Sequence, residues 1–457
     1  MKNLLVFALF VFVFSSCQKE VKPTIEILSG EIQHTTEKVA LIKNQDGKNI
    51  SVISFDNNHK FVDTLSLKEG YYRFFVGSEY TQIYLRPGMD IHLSLDVKDF
   101  DESLIYAGKG ADINNFLAKK ILLSEALLPK SSMQYFGKLD EKSVVRLMDS
   151  IENVYQALLS NAQINDKPFE SLEQMKYKLV KASNLLKYPL AKAYFTHNEK
   201  YTLPKNFPNP LKGIDFMDSD LLKVKKLATS LLKAKLKKEV IKDTSTIYDD
   251  YYVLKSLETA KVLPALKSNL AFDIAQYDLM YTKHLDSFVR IFKKLNVNPE
   301  QGKIITQKYE AIKQLIPGKV STDFMAHDIN GKTYQLKDFA GKLLYIDLWA
   351  TWCAPCRAEI PFLDKLKLQY KDKPITFLSL DVYDSEDKWK QMLQTQKMSG
   401  WQLISTDRKM PFLENYVVDG IPRFILLDNE GKIVDANAPR PSDKILIALI
   451  EKTLAKK

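Results

Sequence analysis

Cysteine and histidine are scarce in this chain of 457 residues, with three and six copies. That scarcity bears first on metal chemistry. A structural zinc needs four ligands, yet Cys17 lies far from Cys353 and Cys356, and His327 is the only histidine after residue 300. His34, His59 and His92 are single and widely spaced, which fits surface or structural roles. No metal and no cofactor are therefore expected. Long hydrophobic runs are also few: Leu4 to Phe14 is the most apolar stretch and falls short of the about 20 residues that span a bilayer. The net charge of +10 is spread out rather than clustered. Its densest lysines, from Lys223 to Lys238, alternate with Val224, Leu227, Leu231, Leu232 and Leu236, as on an amphipathic helix with a solvated basic face. Nucleic acid is accordingly not expected as a partner.

What is present is concentrated at two points. The first is Trp352-Cys353-Ala354-Pro355-Cys356, which holds two of the three cysteines. It follows Leu343, Leu344, Tyr345, Ile346, Leu348 and Trp349, the near-continuous apolar pattern of a strand covered on both faces. After it, Ile360, Leu363, Leu366 and Tyr370 fall on one face of a helix. The cysteines thus sit at a strand-to-helix corner, where unpaired backbone amides and the helix dipole favour a thiolate on Cys353. Cys356, one turn on, is spaced to close a disulfide with it. A haem attachment would need His where Arg357 stands, and a structural bridge across two residues would restrain the unfolded chain little. Redox chemistry is the reading that remains.

The second point is the start of the chain. Met1-Lys2, the apolar run Leu4 to Phe14 and the small residues Ser15-Ser16-Cys17 have the layout of a secretory signal. Cys17 resembles the lipidated cysteine of a bacterial lipoprotein, although Phe14 stands where such signals usually carry an aliphatic residue. The resemblance implies a lipid anchor at Cys17 in the cell envelope of a Gram-negative-type bacterium, facing the periplasm. With Cys17 so assigned and two cysteines in the redox pair, none is left for structural bridges.

Length favours about three domains. From about Thr24 to Gly108 the pattern is β: Ile91, Leu93, Leu95 and Val97 alternate with His92, Ser94 and Asp96, and Arg86-Pro87-Gly88 supplies a turn. Short strands with polar turns imply a small antiparallel sandwich. From about Ala111 to Leu315 the period becomes helical, as in Val144, Met148, Ile151, Tyr155 and Leu158. Pro317-Gly318 reads as a linker. Beyond it, Asp323-Phe324 and Gly331 to Leu336 read as a hairpin, Ile375 to Val382 and Phe424 to Leu427 as buried strands, and Ser442 as the cap of a closing helix. The expected chain is multi-domain, α+β and α/β: residues 1–17 a lipoprotein signal peptide, 18–109 a β-sandwich-like domain, 110–318 a helical domain and linker, and 319–457 an α/β domain.

In that last stretch, Asp347-Leu-Trp-Ala-Thr-Trp-Cys-Ala-Pro-Cys356, then Glu359, Pro361 and Gly420-Ile421-Pro422, together resemble the thioredoxin superfamily, specifically its exported TlpA/ResA-type disulfide reductases. The resemblance implies that Cys353 attacks and Cys356 resolves, and that Pro422 is a cis-proline whose neighbour Ile421 pairs with a bound substrate strand beside Trp352. It further implies that Asp347 is a buried acid serving Cys356 and that Glu359 is the acid of the active-site helix. Many exported members carry Asn at the Asp347 position, and thioredoxin's accompanying lysine is here Ser379, so the division of proton transfer between Asp347 and Glu359 stays open. A peroxiredoxin is disfavoured because Thr351 is only two residues before Cys353. Ala354-Pro355 lacks the His common in strong oxidases. The partners implied are disulfide-containing exported proteins and an upstream membrane thiol-disulfide electron donor, with cytochrome maturation among the roles the family covers. The alternative is a binding or scaffold lipoprotein whose thioredoxin-like domain is a redox regulator.

Overall fold

The structure is a computed structural model that describes residues 26–128, 132–198, 200–243 and 249–455. The signal segment and the lipidation expectation at Cys17 lie outside the described residues. Two compact units divide the rest: one runs to Ile214 and takes in Asp220–Leu231, and the other joins Asp215–Ser219 to the chain from Leu232 onward.

Among the described residues, the first unit has eight strands, with one short helix, Phe100–Ser103, before the last of them: β1 (Glu26–Gln33), β2 (Val39–Lys43), β3 (Asn49–Ser54), β4 (Lys60–Leu65), β5 (Gly70–Val76), β6 (Glu79–Leu85), β7 (Asp90–Asp96) and β8 (Ile105–Lys109). They form two four-stranded sheets ordered β4-β1-β7-β8 and β3-β2-β5-β6. Ile91, Leu93 and Leu95 point inward, as their alternation requires, and Val97 has already entered a turn. One pairing departs from an all-antiparallel sandwich: β1 runs parallel to β7, with Leu28 beside Ile91. A two-residue period tells which face a side chain takes but not which strand lies beside it.

Most of the helices that follow are long. In Glu141–Asn161 the buried stripe is Val144, Met148, Ile151, Tyr155 and Leu159, not Leu158, because a real helix turns every 3.6 residues and the seam drifts. Each such side chain contributes roughly 1.5–3 kcal/mol when fully buried. Phe169, on helix Lys167–Phe195, meets the ring of Tyr84 at 5.0 Å and that of Phe116 at 6.0 Å, so helix and sheet share one core. Within that core Glu173 is fully buried and is met by Lys120, Lys176 and the hydroxyl of Tyr71.

The second unit contains a seven-stranded sheet built from β9 (Met325–His327), β10 (Thr333–Gln335), β11 (Leu343–Trp349), β12 (Ile375–Asp381), β13 (Trp401–Ile404), β14 (Arg423–Leu427) and β15 (Ile433–Asp435). Their order is β10-β9-β13-β12-β11-β14-β15. The parallel trio β11, β12 and β13 lies at its centre, and all seven residues of β11 are buried. That explains why β11 reads as an apolar run rather than an alternation. Helices Ala354–Gln369 and Lys444–Leu454 cover one face, where Leu343, Tyr345, Leu363, Leu366, Leu446 and Ile450 pack together. The closing helix is capped by Asp443, whose carboxylate accepts the Ile445 N–H at 2.9 Å. The cap expected at Ser442 is thus displaced by one residue, because Ser442 is engaged elsewhere.

The opposite face is covered by Phe412, Leu413 and Tyr416, with Met280 and Leu315 of the preceding helical stretch packed against the same cluster. Lys308 of helix Pro299–Ile312 adds a polar tie, donating to the Gln276 carbonyl and to Asp419 just ahead of Ile421-Pro422. The Arg423 side chain is buried, donates to the carbonyls of Tyr416 and Ala436, and lies 5.9 Å from the Tyr281 ring centre. Helices well upstream of the motif are therefore part of the unit that presents it.

Candidate active site

β11 delivers the chain to the motif at the carboxyl end of the central parallel strands. Its last residue is Trp349, and Ala350, Thr351 and Trp352 lead to Cys353, the N-cap of helix Ala354–Gln369. Pro355 stands in the first turn, where its missing N–H leaves nothing unpaired. The Cys353 sulfur accepts the Cys356 N–H at 3.1 Å, so it sits against the first turn of the helix. That is where backbone N–H groups and the macrodipole stabilise negative charge on sulfur. The two cysteines are joined as a disulfide, and each is almost fully buried. Trp352 beside them is 62% exposed.

The Ile421-Pro422 peptide bond is cis. Ile421 packs against the cluster formed by Trp349, Cys353, Cys356 and Trp389. The turn before β14 therefore lies beside the sulfurs.

The two acids named above have different surroundings. Asp347 is on the helix-covered face of β11 and is buried. Burial raises its pKa to about 7; the nearby Lys367 charge and Ser379, its register partner on β12, pull down, and Glu359 adds a small push upward. The charge near Asp347 comes from Lys367, eight residues after Glu359 and so on the same side of the helix. No local motif marks that lysine in the sequence. Glu359 is also buried, but its oxygens are occupied: they accept the Ser442 N–H at 2.9 Å and the Ser442 hydroxyl at 3.0 Å, and Arg440 stands 3.7 Å away.

A further acidic pair escaped sequence reasoning. Asp381 ends β12, and Asp384 follows three residues later; both are buried. The Asp384 carboxylate accepts the Thr351 N–H, two residues before Cys353. An acid interrupting the apolar run Leu378, Leu380 and Val382 was the signal available.

Comparison with known proteins falls on this region. Residues 317–447 match the Redoxin family model. A thiol-disulfide oxidoreductase ResA of Bacillus cereus is 30% identical over 118 residues, which are 26% of this chain and 67% of that protein. The chain belongs to the ResA-like thiol-disulfide oxidoreductases of the thioredoxin superfamily. The ResA of Bacillus subtilis is 28% identical over 117 residues, 26% of this chain and 64% of that protein. The chain thus spans about two thirds of the length of these relatives. Among solved structures, the thioredoxin domain of a thiol-disulfide oxidoreductase from Bacteroides vulgatus is 33% identical, with 30% of this chain and 98% of that one covered and a TM-score of 0.28. A thiol:disulfide interchange protein from Bacteroides sp. is 34% identical, with 31% and 92% covered and a TM-score of 0.29. The Redoxin match leaves residues 1–316 of this ResA-like chain outside it.

Proposed function

We propose that the chain is a protein-disulfide reductase of the cell envelope, held to the membrane by lipid on Cys17 and facing the periplasm. The observation that carries the reductase reading is the Cys353–Cys356 pair at the start of a helix, with the cis turn at Ile421-Pro422 on one side and a buried acid of raised pKa, Asp347, on the same sheet.

In the forward cycle the reduced Cys353 thiolate attacks one sulfur of a substrate disulfide. That bond breaks, the released substrate thiolate takes a proton, and a Cys353–substrate mixed disulfide forms. Cys356 then loses its proton and attacks the Cys353 sulfur, expelling the second substrate thiol and closing Cys353–Cys356. Two electrons pass from the pair to the substrate, and an upstream membrane dithiol must return them. Asp347, with a pKa of about 7, is the group suited to take the Cys356 proton near neutrality. Glu359, engaged by Ser442 and Arg440, instead holds the motif helix to the segment ahead of the closing helix. Ile421 pairs with the bound strand, and Trp352 covers it.

Replacing Cys356 with Ala should trap discrete mixed-disulfide partners through Cys353. Failure to trap any partner, together with no reduction of insulin, would favour the scaffold reading. A reduction potential close to about −120 mV, that of a strong oxidant, would reverse the proposed direction. For the anchor, Cys17→Ser should move the chain out of the membrane fraction; a variant that stays there sinks the lipid reading.

A further inference from the structure

The carboxyl end of β12 holds a device that the cycle above does not use. Asp381 Oδ1 accepts the Tyr383 N–H at 3.2 Å and the Asp384 N–H at 3.1 Å. Its Oδ2 is buried and meets no backbone or side-chain donor. Asp384, also buried, bonds the Thr351 N–H, and its carboxyl group stands close enough to that of Asp381 to raise it. Two carboxylates in contact in a water-poor setting do not both ionise. A proton on Asp381 resolves both difficulties: it gives Asp381 Oδ2 a bond to make and leaves the Asp384 carboxyl to accept from Thr351.

Among the described residues, the backbone and charged groups around the pair are engaged elsewhere. Val382 donates to the Trp349 carbonyl at 3.2 Å, and the Asp381 carbonyl accepts from Ser405 at 2.9 Å, so the backbone on both sides is committed. Arg408 is 3.2 Å from the Tyr383 carbonyl and bonds that group. Glu386 at the start of the next helix is paired with Lys390 at 2.6 Å and lies 3.5 Å from His327. Asp419 of the cis turn acts on Tyr383 and is itself bonded by Lys308. Arg408 and Lys390 are thus bonded to other groups.

We propose that Asp381 and Asp384 are positioning residues for the thiol pair: the proton on Asp381 keeps Asp384 on the Thr351 N–H, which fixes Thr351-Trp352-Cys353 for attack, and its loss frees that loop. Burial first, and then Asp384, raise Asp381 to about 8. Asp381 therefore keeps its proton below about pH 8 and carries a charge beside the Asp384 carboxyl above it. Cys353 reactivity should then stop rising, and fall, on the alkaline side, whereas a simple thiol only becomes more reactive as it ionises.

The proposal rests on the redox reading of Cys353, but its test does not need a substrate. The rate of Cys353 alkylation by iodoacetamide in the reduced full-length chain, read by peptide mass spectrometry from pH 6 to 10, is expected to pass through a maximum near pH 8. In Asp381→Asn the amide N–H2 replaces the Asp381 proton at every pH, so the alkaline fall should vanish while the neutral rate stays within about twofold. Asp384→Ala should lower the neutral rate roughly tenfold through loop misplacement. The Thr351 amide shift should titrate with the same midpoint in the wild type and stay flat in Asp381→Asn. A wild-type rate that climbs without a maximum, an alkaline fall retained in Asp381→Asn, or a Thr351 amide that does not respond overturns it. If the chain alkylates as expected but reduces no disulfide, the reductase reading fails and the positioning pair stands.

Discussion

Each unit buries carboxyl groups, and Glu173 in the first is treated in the opposite way to Asp347 and Asp381 in the second. In the first, burial pushes Glu173 upward, but Lys176, Lys120 and the Tyr71 hydroxyl outweigh it and pull the carboxyl down to about 2. In the second, Asp347 has no carboxylate-to-lysine bond and stands at about 7, while Asp381 faces another acid and stands at about 8. Burial alone does not make an acid reactive. A buried carboxyl with matched cations stays ionised and serves the fold, and one without them has a proton to give or take in the physiological range. The second kind is found beside the cysteines.

The largest expected effect tests the structural half of that contrast. Glu173→Gln leaves Lys120 and Lys176 facing each other without their anion, and should destabilise the chain by about 3–5 kcal/mol in urea unfolding. A loss below about 1 kcal/mol would mean that the ion pairs do not hold this core. Wild-type Glu173 stabilises the fold above its ordinary value of 4.5, and that contribution fades as pH falls toward about 2.

Next comes chemistry. Asp347→Asn should slow closure of the Cys353–Cys356 disulfide about a hundredfold at neutral pH, as followed by rapid quench. Equal rates in the two proteins would move proton transfer to another group.

The same substitution should have the opposite sign in stability. The folded chain raises the Asp347 pKa from 3.8 to about 7, so the folded state disfavours its charge. That penalty is absent below pH 3.8, grows as pH rises and is complete above about 7. Asp347→Asn should therefore melt higher than wild type at about pH 8 and alike at about pH 3; a lower melting temperature on the alkaline side would refute the account of an uncompensated acid.

The smallest effect should come from Glu359→Gln, which keeps an acceptor for Ser442 and loses only the partly exposed contact with Arg440. Its cost in stability should stay within about 1 kcal/mol, and its closure rate should exceed that of Asp347→Asn. A rate as low as that of Asp347→Asn would give Glu359 a share in proton transfer.

These contrasts also explain what could be read from the chain alone. The strand around Asp347, the helix from Pro355 and the hairpin at Gly331 were legible because each is local and periodic. The parallel pairing of β1 with β7 was not, since alternation carries no information on partner or direction. The roles of Lys367, Ser442 and Asp384 were missed for a related reason: each acts on a residue brought near only by folding, with Ser442 some 83 residues from Glu359. The packing of Met280 and Leu315 on the redox sheet was likewise invisible, because an amphipathic stripe does not name the surface it will cover.

The central claim is that a buried acid with no cation bonded to it drives the redox pair. Single-turnover reduction of a disulfide protein by the prereduced chain, measured from about pH 5 to 9 for wild type and Asp347→Asn, tests it most directly. The account predicts a wild-type rate that rises through about pH 7 as Asp347 ionises, and a slower Asp347→Asn rate that lacks this rise. Superimposable profiles for the two proteins would contradict it.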